Sequence, residues 1–299
     1  MRIDSQLLKR VFPRMQADEI SFVAKQDTLI CAFGSRYIKI HRERHFEVVA
    51  SRKMRELARL LIQFRKLKPT KILSLFSALN PKYFSLLVEA TKIVAKYDHD
   101  KQVYESGTYA LTISTSLKQC CDITNLYALQ KKSIYANIST TKAQARLKSL
   151  SEMLKEHWRF EVSNKAANDI SMKKWNKVTI VPLASDLKLL KEYLISQANE
   201  AINNLEKNSS DIKAYKILLE TVFCRVMLLN RKRPGELQRL ELHTYQECGN
   251  TQNYEEFSEA VTPVEKVLMK SLKRIIIRGK RGRGVPVLLV MTFKSILRL

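Results

Sequence analysis

Apolar residues recur at helical spacing along most of this chain. In "SRKMRELARLLIQFRK", Met54, Leu57, Leu61 and Phe64 share one side of a helix that Ser51 can cap and Pro69 closes. The opposite side carries Arg52, Lys53, Arg55, Arg59 and Arg65. Further helices are predicted over residues 70–78, 81–97, 108–129 and 141–158, with breaks at Asn80-Pro81 and at Glu105 to Gly107. Residues 47–165 therefore read as a helical domain. Residues 1–46 mix short helical and β-rich pieces, such as "YIKI", and give no clear fold.

The pattern turns polar and irregular at "SNKAANDISMKKWNK", which places a linker over residues 166–182. A second domain follows over 183–299. Ser185 can cap a helix with Leu187, Leu190, Leu194, Ala198, Ala201 and Leu205 on one side. After an "NSSD" break, a second helix turns Tyr215, Leu219, Val222, Val226 and Leu229 inward. It ends at "LLNRKRPGELQRLEL", where Asn230-Arg231-Lys232-Arg233 meets Pro234-Gly235.

Proline suits the first position of a helix and pushes the residue before it out of the α region, so Arg233 is placed at a helix cap. The free amides of that first turn attract anions, and Gly235 leaves room for close approach. A guanidinium there adds a two-pronged donor matched to phosphate oxygens. Glu236 can pair with Arg233 and hold its fork.

Farther on, "SLKRIIIRGKRGRGVPVLLV" contains two β-type runs around a glycine-punctuated turn. This predicts a hairpin whose tip bears Arg278, Lys280, Arg281 and Arg283. From Lys266 onward there are ten basic residues and no acidic one. The whole chain follows suit, with 53 Lys+Arg against 29 Asp+Glu and a net charge of +24 over 299 residues. A polyanionic partner, contacted through its phosphates, is the inference.

Other partners fare worse. The longest apolar runs, such as "VPVLLVMTF", fall short of a spanning helix, and "MRIDSQLLKRVF" lacks a secretory apolar region. Five scattered cysteines without a Cys-x-x-Cys pair fit a reducing compartment, with neither a disulfide framework nor a zinc site. His41 and His45 of "HRERH" have zinc-finger spacing, but only Cys31 precedes them and its gap is short, so no metal is assigned.

An apolar helix, then Arg-x-x-Glu-Leu, then a hairpin reading Gly-Lys-(basic turn)-Val-Pro-(apolar) resembles the first half of the catalytic domain of the tyrosine recombinases. These are the phage-integrase-type enzymes of DNA breakage and rejoining, and the flavour here is closest to Crypton-like, transposon-derived members. The resemblance is specific over residues 186–290 and only architectural over 50–160. It implies a mainly α fold: a helical core-binding-like domain, then a partial α+β catalytic domain with a small β-hairpin, the two clamping duplex DNA.

Carried over by residue, Arg233 matches the first catalytic arginine, which grips the scissile phosphate. Lys280 matches the hairpin lysine that acts as general acid. Glu236 matches the acidic buttress. The 47-residue interval between Arg233 and Lys280 is long for the family. After the hairpin the family requires a His-x-x-Arg helix and a nucleophilic tyrosine, and residues 291–299 supply neither. His41 to Arg44 lies in the wrong domain, and Tyr245 and Tyr254 are read as structural. Without a nucleophile no covalent phosphotyrosyl intermediate forms.

The resulting expectation is a nuclear, recombinase-derived protein that binds double-stranded DNA through Arg233, Arg231, Lys232, Arg278, Arg281, Arg283, Arg52, Lys53 and Arg59. It uses no cofactor or small-molecule substrate, is catalytically incomplete as written, and is prone to self-association through uncovered apolar surface. The alternative is a helical RNA- or chromatin-binding scaffold of other ancestry, in which "NRKRP" serves nuclear import.

Overall fold

The computed structural model describes residues 3–41, 43–68, 74–130, 139–175, 177–178, 180–231, 233–247, 262–279 and 282–290. Helices carry most of these residues, and the strands form two small antiparallel hairpins, in line with the mainly α expectation. The chain divides into two compact units, Met1–Val178 and Thr179–Leu299.

The first unit opens with short turns at Leu7–Val11 and Phe12–Arg14, followed by α1 (Glu19–Gln26), α2 (Thr28–Ile40), α3 (Phe46–Leu67), α4 (Leu75–Ala78) and α5 (Phe84–Val94). A hairpin of β1 (Tyr97–Asp98) and β2 (Val103–Tyr104) leads to α6 (Gly107–Leu129), α7 (Thr140–Glu156) and α8 (Asn164–Trp175). The long helix α3 is central, packing against α1, α2, α5 and α6. It buries Met54, Leu57, Leu61 and Phe64, the stripe that the spacing predicts. Each such side chain contributes about 1.5–3 kcal/mol of transfer free energy.

Two expectations for this unit are corrected and one open segment is filled in. Ser51 does not cap α3; it is buried within it, because the apolar stripe continues back through Ala50 to a start at Phe46. Residues 1–46, for which the apolar pattern predicts no clear fold, contribute Leu7, Val11, Leu29, Ile30 and Phe33 to the same core as α3. The linker placed over 166–182 is helical as far as Trp175, packed on α6 and β2. Ala166 joins the core, and polar bonds, which the apolar pattern could not reveal, add to the helix's attachment. Buried Asp169 accepts the Tyr104 amide at 2.8 Å, and the Lys173 ammonium donates to the Tyr104 carbonyl at 3.0 Å. The start of the helix expected over 70–78 lies outside the described residues; α4 supplies its end.

The second unit contains α9 (Ala184–Lys207), α10 (Ile212–Asn230), α11 (Pro234–Leu237), α12 (Leu242–Glu247), α13 (Pro263–Ser271), β3 (Leu272–Arg278) and β4 (Gly284–Val290). Leu183, not Ser185, caps α9, and the Asp186 carboxylate accepts the Leu183 amide at 2.8 Å. The helix pair α9–α10 meets along Ala198, Ala201 and Leu205 against Ala214 and Leu218, and Leu194 is buried as well. Of the predicted inward face of α10, Val226 is buried and Val222 half-buried, but Tyr215, Leu219 and Leu229 are exposed, as are Leu187 and Leu190 on α9. Alanines permit close helix approach, so the small-residue stripe becomes the interface and the bulky one is left outside. Among the described residues no helix is long and apolar enough to cross a membrane.

Candidate nucleic-acid interface

The joint between α10 and α11 is built by three residues. Asn230, the last residue of α10, donates its amide nitrogen to the Val226 and Leu288 carbonyls, both at 2.8 Å. Its Oδ1 accepts the Leu288 amide at 2.7 Å, so one side chain fastens the middle of β4 to the helix end. Arg231 then adopts the left-handed conformation, φ 51° and ψ 35°, which stops the helix. Arg233 follows with extended φ −72° and ψ 135° as the cap of α11, and Pro234 opens the first turn. This is the local geometry that the proline rule predicts.

Behind the joint, Leu237 of α11 enters a small core with Val226, Ile275, Ile277, Val287 and Leu289. The core arises from strict alternation along the hairpin. Ile275 and Ile277 face inward and pair with Val287 and Val285, while Arg274, Ile276 and Arg278 are exposed opposite Leu288, Pro286 and Gly284. At the turn the Gly279 amide donates to the Arg283 carbonyl at 2.7 Å, and Gly282 takes φ +75°. A side chain at Gly279 would place its Cβ 2.2 Å from Val285 Cγ2, so the close crossing of the strands needs glycine there.

The cations of this unit do not all face outward. Lys273 turns back, donating to the Tyr245 carbonyl at 2.6 Å with its ammonium 4.2 Å from the Tyr245 ring centroid. Tyr245 is therefore a packing partner in α12. Arg231, Arg233 and Arg283 are exposed, and Arg278 is exposed at the end of β3. Lys232, Lys280 and Arg281 lie outside the described residues. The anticipated Glu236–Arg233 pair is not formed among the described residues; instead the Glu236 amide donates to the Arg233 carbonyl at 2.9 Å. Both side chains sit in water's reach, where an ion pair yields little. The Arg239 guanidinium instead folds back to the Gly235 carbonyl at 2.5 Å.

In the first unit the basic face of α3 divides by role. Arg55 is structural, bonding both oxygens of the Asp18 carboxylate at 2.7 and 2.6 Å as well as Ser21. That guanidinium, and next the Ser21 amide, hold the Asp18 carboxyl well below the usual carboxylate range. Arg52 is exposed and only loosely drawn to Glu56 at 3.8 Å. Lys53 stands 5.9 Å over the Tyr37 ring, and Arg59 is half-buried. His41 and His45 engage aromatic rings, Tyr37 and Phe46. Among the described residues no group of three or more His, Cys, Asp and Glu is placed to hold a metal ion.

Sequence reasoning missed Asn230 and the groove beside it. The exposed stripe of α10 joins α11 and α12 around an apolar groove of about 670 Å³, lined by Tyr215, Leu219, Phe223, Cys224, Leu240 and Tyr245 among others. The signal for the groove was present as a second apolar face on α10. No sequence signal marks Asn230, because its partner is 58 residues away.

Compared with models of known families, with curated proteins and with solved structures, the chain matches none.

Proposed function

We propose that this chain is a nuclear DNA-binding protein related to the tyrosine recombinases, and that it grips duplex DNA through the α10–α11 joint and the β3–β4 hairpin. The supporting observation is Arg231. A left-handed residue at a helix end is ordinarily glycine, and an L residue there costs about 1–2 kcal/mol. This chain keeps an exposed arginine at that position, two residues before the exposed cap residue Arg233. Asn230 and Leu237 hold the same joint against the hairpin that carries Arg278 and Arg283. Strain retained at a solvated cation favours a role in binding.

The test compares variants on duplex DNA. Affinity is expected to fall steeply with salt, because phosphate contacts release counterions. Arg233→Ala is expected to cost about 1.5–3 kcal/mol of binding, as for a charged hydrogen bond, and more than Arg231→Ala. Salt-insensitive affinity, or equal losses for the two variants, refutes the proposal.

Self-association through the groove at Tyr215, Leu219 and Phe223 is part of the same proposal. Cys224 lines that groove. In a Cys248→Ser chain its labelling by a thiol reagent is expected to slow as protein concentration rises, and a concentration-independent rate removes this part.

A further inference from the structure

The "HRERH" corner, which neither the metal reading nor the recombinase reading employs, carries a ladder of rings. Tyr37 and His41 lie one turn apart at the end of α2, and His45 and Phe46 begin α3. Ring centroids are 4.5 Å apart for Tyr37–His41, 4.3 Å for His41–Phe46 and 4.1 Å for His45–Phe46. Ordinary corner packing would be served by aliphatic groups that leave water altogether. Here Tyr37, His41 and Phe46 are half-buried, His45 is exposed, and Ile40 and Val48 beside them are exposed as well.

Charge around the ladder is mostly positive, with Glu43 half-buried in the corner and Glu56 3.8 Å from Arg52. Arg36, Arg44 and Arg52 are exposed, and Lys53 reaches over the Tyr37 ring at 5.9 Å. The neighbouring carboxylate of Glu47 is buried and already matched by Arg10 at 2.6 Å and Arg14 at 2.9 Å, which removes its negative field from this surface. Partly exposed rings beside cations are the two components of a site for unpaired nucleotides, since every base has a face to stack and every linkage a phosphate.

We propose that the α2–α3 corner binds single-stranded nucleic acid, with bases stacking on the Tyr37–His41–Phe46–His45 ladder and phosphates held by Arg44, Arg52 and Lys53. This site lies in the first unit and stands apart from the duplex reading of Arg233 in the second.

Using the full chain, the affinity for thymidine and uridine oligonucleotides of about a dozen residues is compared with that for an abasic strand of equal length. The base-bearing strands are expected to bind about tenfold more tightly. Whichever of the two binds better identifies DNA or RNA as the natural strand. The His41→Leu/Phe46→Leu double variant is expected to abolish the difference while Arg233-dependent duplex binding persists. An abasic strand that binds equally well, or a double variant that keeps the preference, overturns the proposal. As Phe46 also packs, a second measurement uses the unaltered chain: photocrosslinking with 5-iodouracil strands. Crosslinks mapped to residues 37–46 support the site, and crosslinks found only elsewhere overturn it.

Discussion

Replacing Asn230 by alanine tests whether one side chain registers the hairpin against the α10–α11 joint. The substitution removes three hydrogen bonds, two to Leu288 and one to the Val226 carbonyl. An ordinary bond is worth about 0.5–1.5 kcal/mol net, and here water can reach the groups left behind, so the sum should fall near the low end, about 1–2 kcal/mol. The hairpin stays packed through Ile275, Ile277, Val287 and Leu289, so the loss is local. Because the chain has two units, a single unfolding midpoint would blur the effect. Amide hydrogen exchange at Leu288 reads it directly: protection should fall about 5- to 30-fold, since 1.4 kcal/mol is a factor of ten. Asn230→Asp sharpens the test. It keeps the acceptor for the Leu288 amide but turns a carboxylate oxygen toward the Val226 and Leu288 carbonyls, so it should weaken the hairpin's docking and duplex binding at least as much as alanine does. Unchanged Leu288 exchange in Asn230→Ala, or a harmless aspartate, would refute the anchoring role.

Two further substitutions separate folding from binding and set a pH dependence. Gly235 has no heavy atom within 4 Å of a built Cβ and no positive φ, so Gly235→Ala should stabilise the fold by about 0.4–1 kcal/mol while weakening duplex binding if phosphate approaches that turn; a loss of stability, measured by denaturation, contradicts the open geometry. Asp18, its carboxyl held low by Arg55, should stabilise the first unit above the pKa of an unfolded aspartate and lose that contribution as pH falls below it. Thermal midpoints at neutral and acid pH should therefore diverge less in Asp18→Asn than in the parent, and an identical pH dependence of the two proteins removes the claim.

Local rules succeeded where the responsible neighbours were close in sequence. Pro234 placed Arg233 at a cap, and the alternating Ile275 and Ile277 produced a hairpin. The stripe Met54, Leu57, Leu61 and Phe64 placed α3 in the core, although its first turn was missed because His45 begins it without a side-chain cap bond. Two readings failed for a shared reason. Helix α8 is attached by polar bonds to Tyr104, about 65 residues earlier, and the buried face of α10 was chosen by the alanines of α9. For α10 periodicity gave the element but not its partner, and for α8 it gave neither.

The residues alone determined a basic, mainly helical chain, a capped arginine after a helix and a basic hairpin, because spacing, proline geometry and charge act within a few positions. Only tertiary structure decided that Asn230 joins that helix to β4, that Lys273 turns inward to Tyr245, and that Tyr37, His41, His45 and Phe46 assemble at one corner beside Lys53. Such contacts depend on which faces meet when two elements pack, and a one-dimensional pattern does not carry that information.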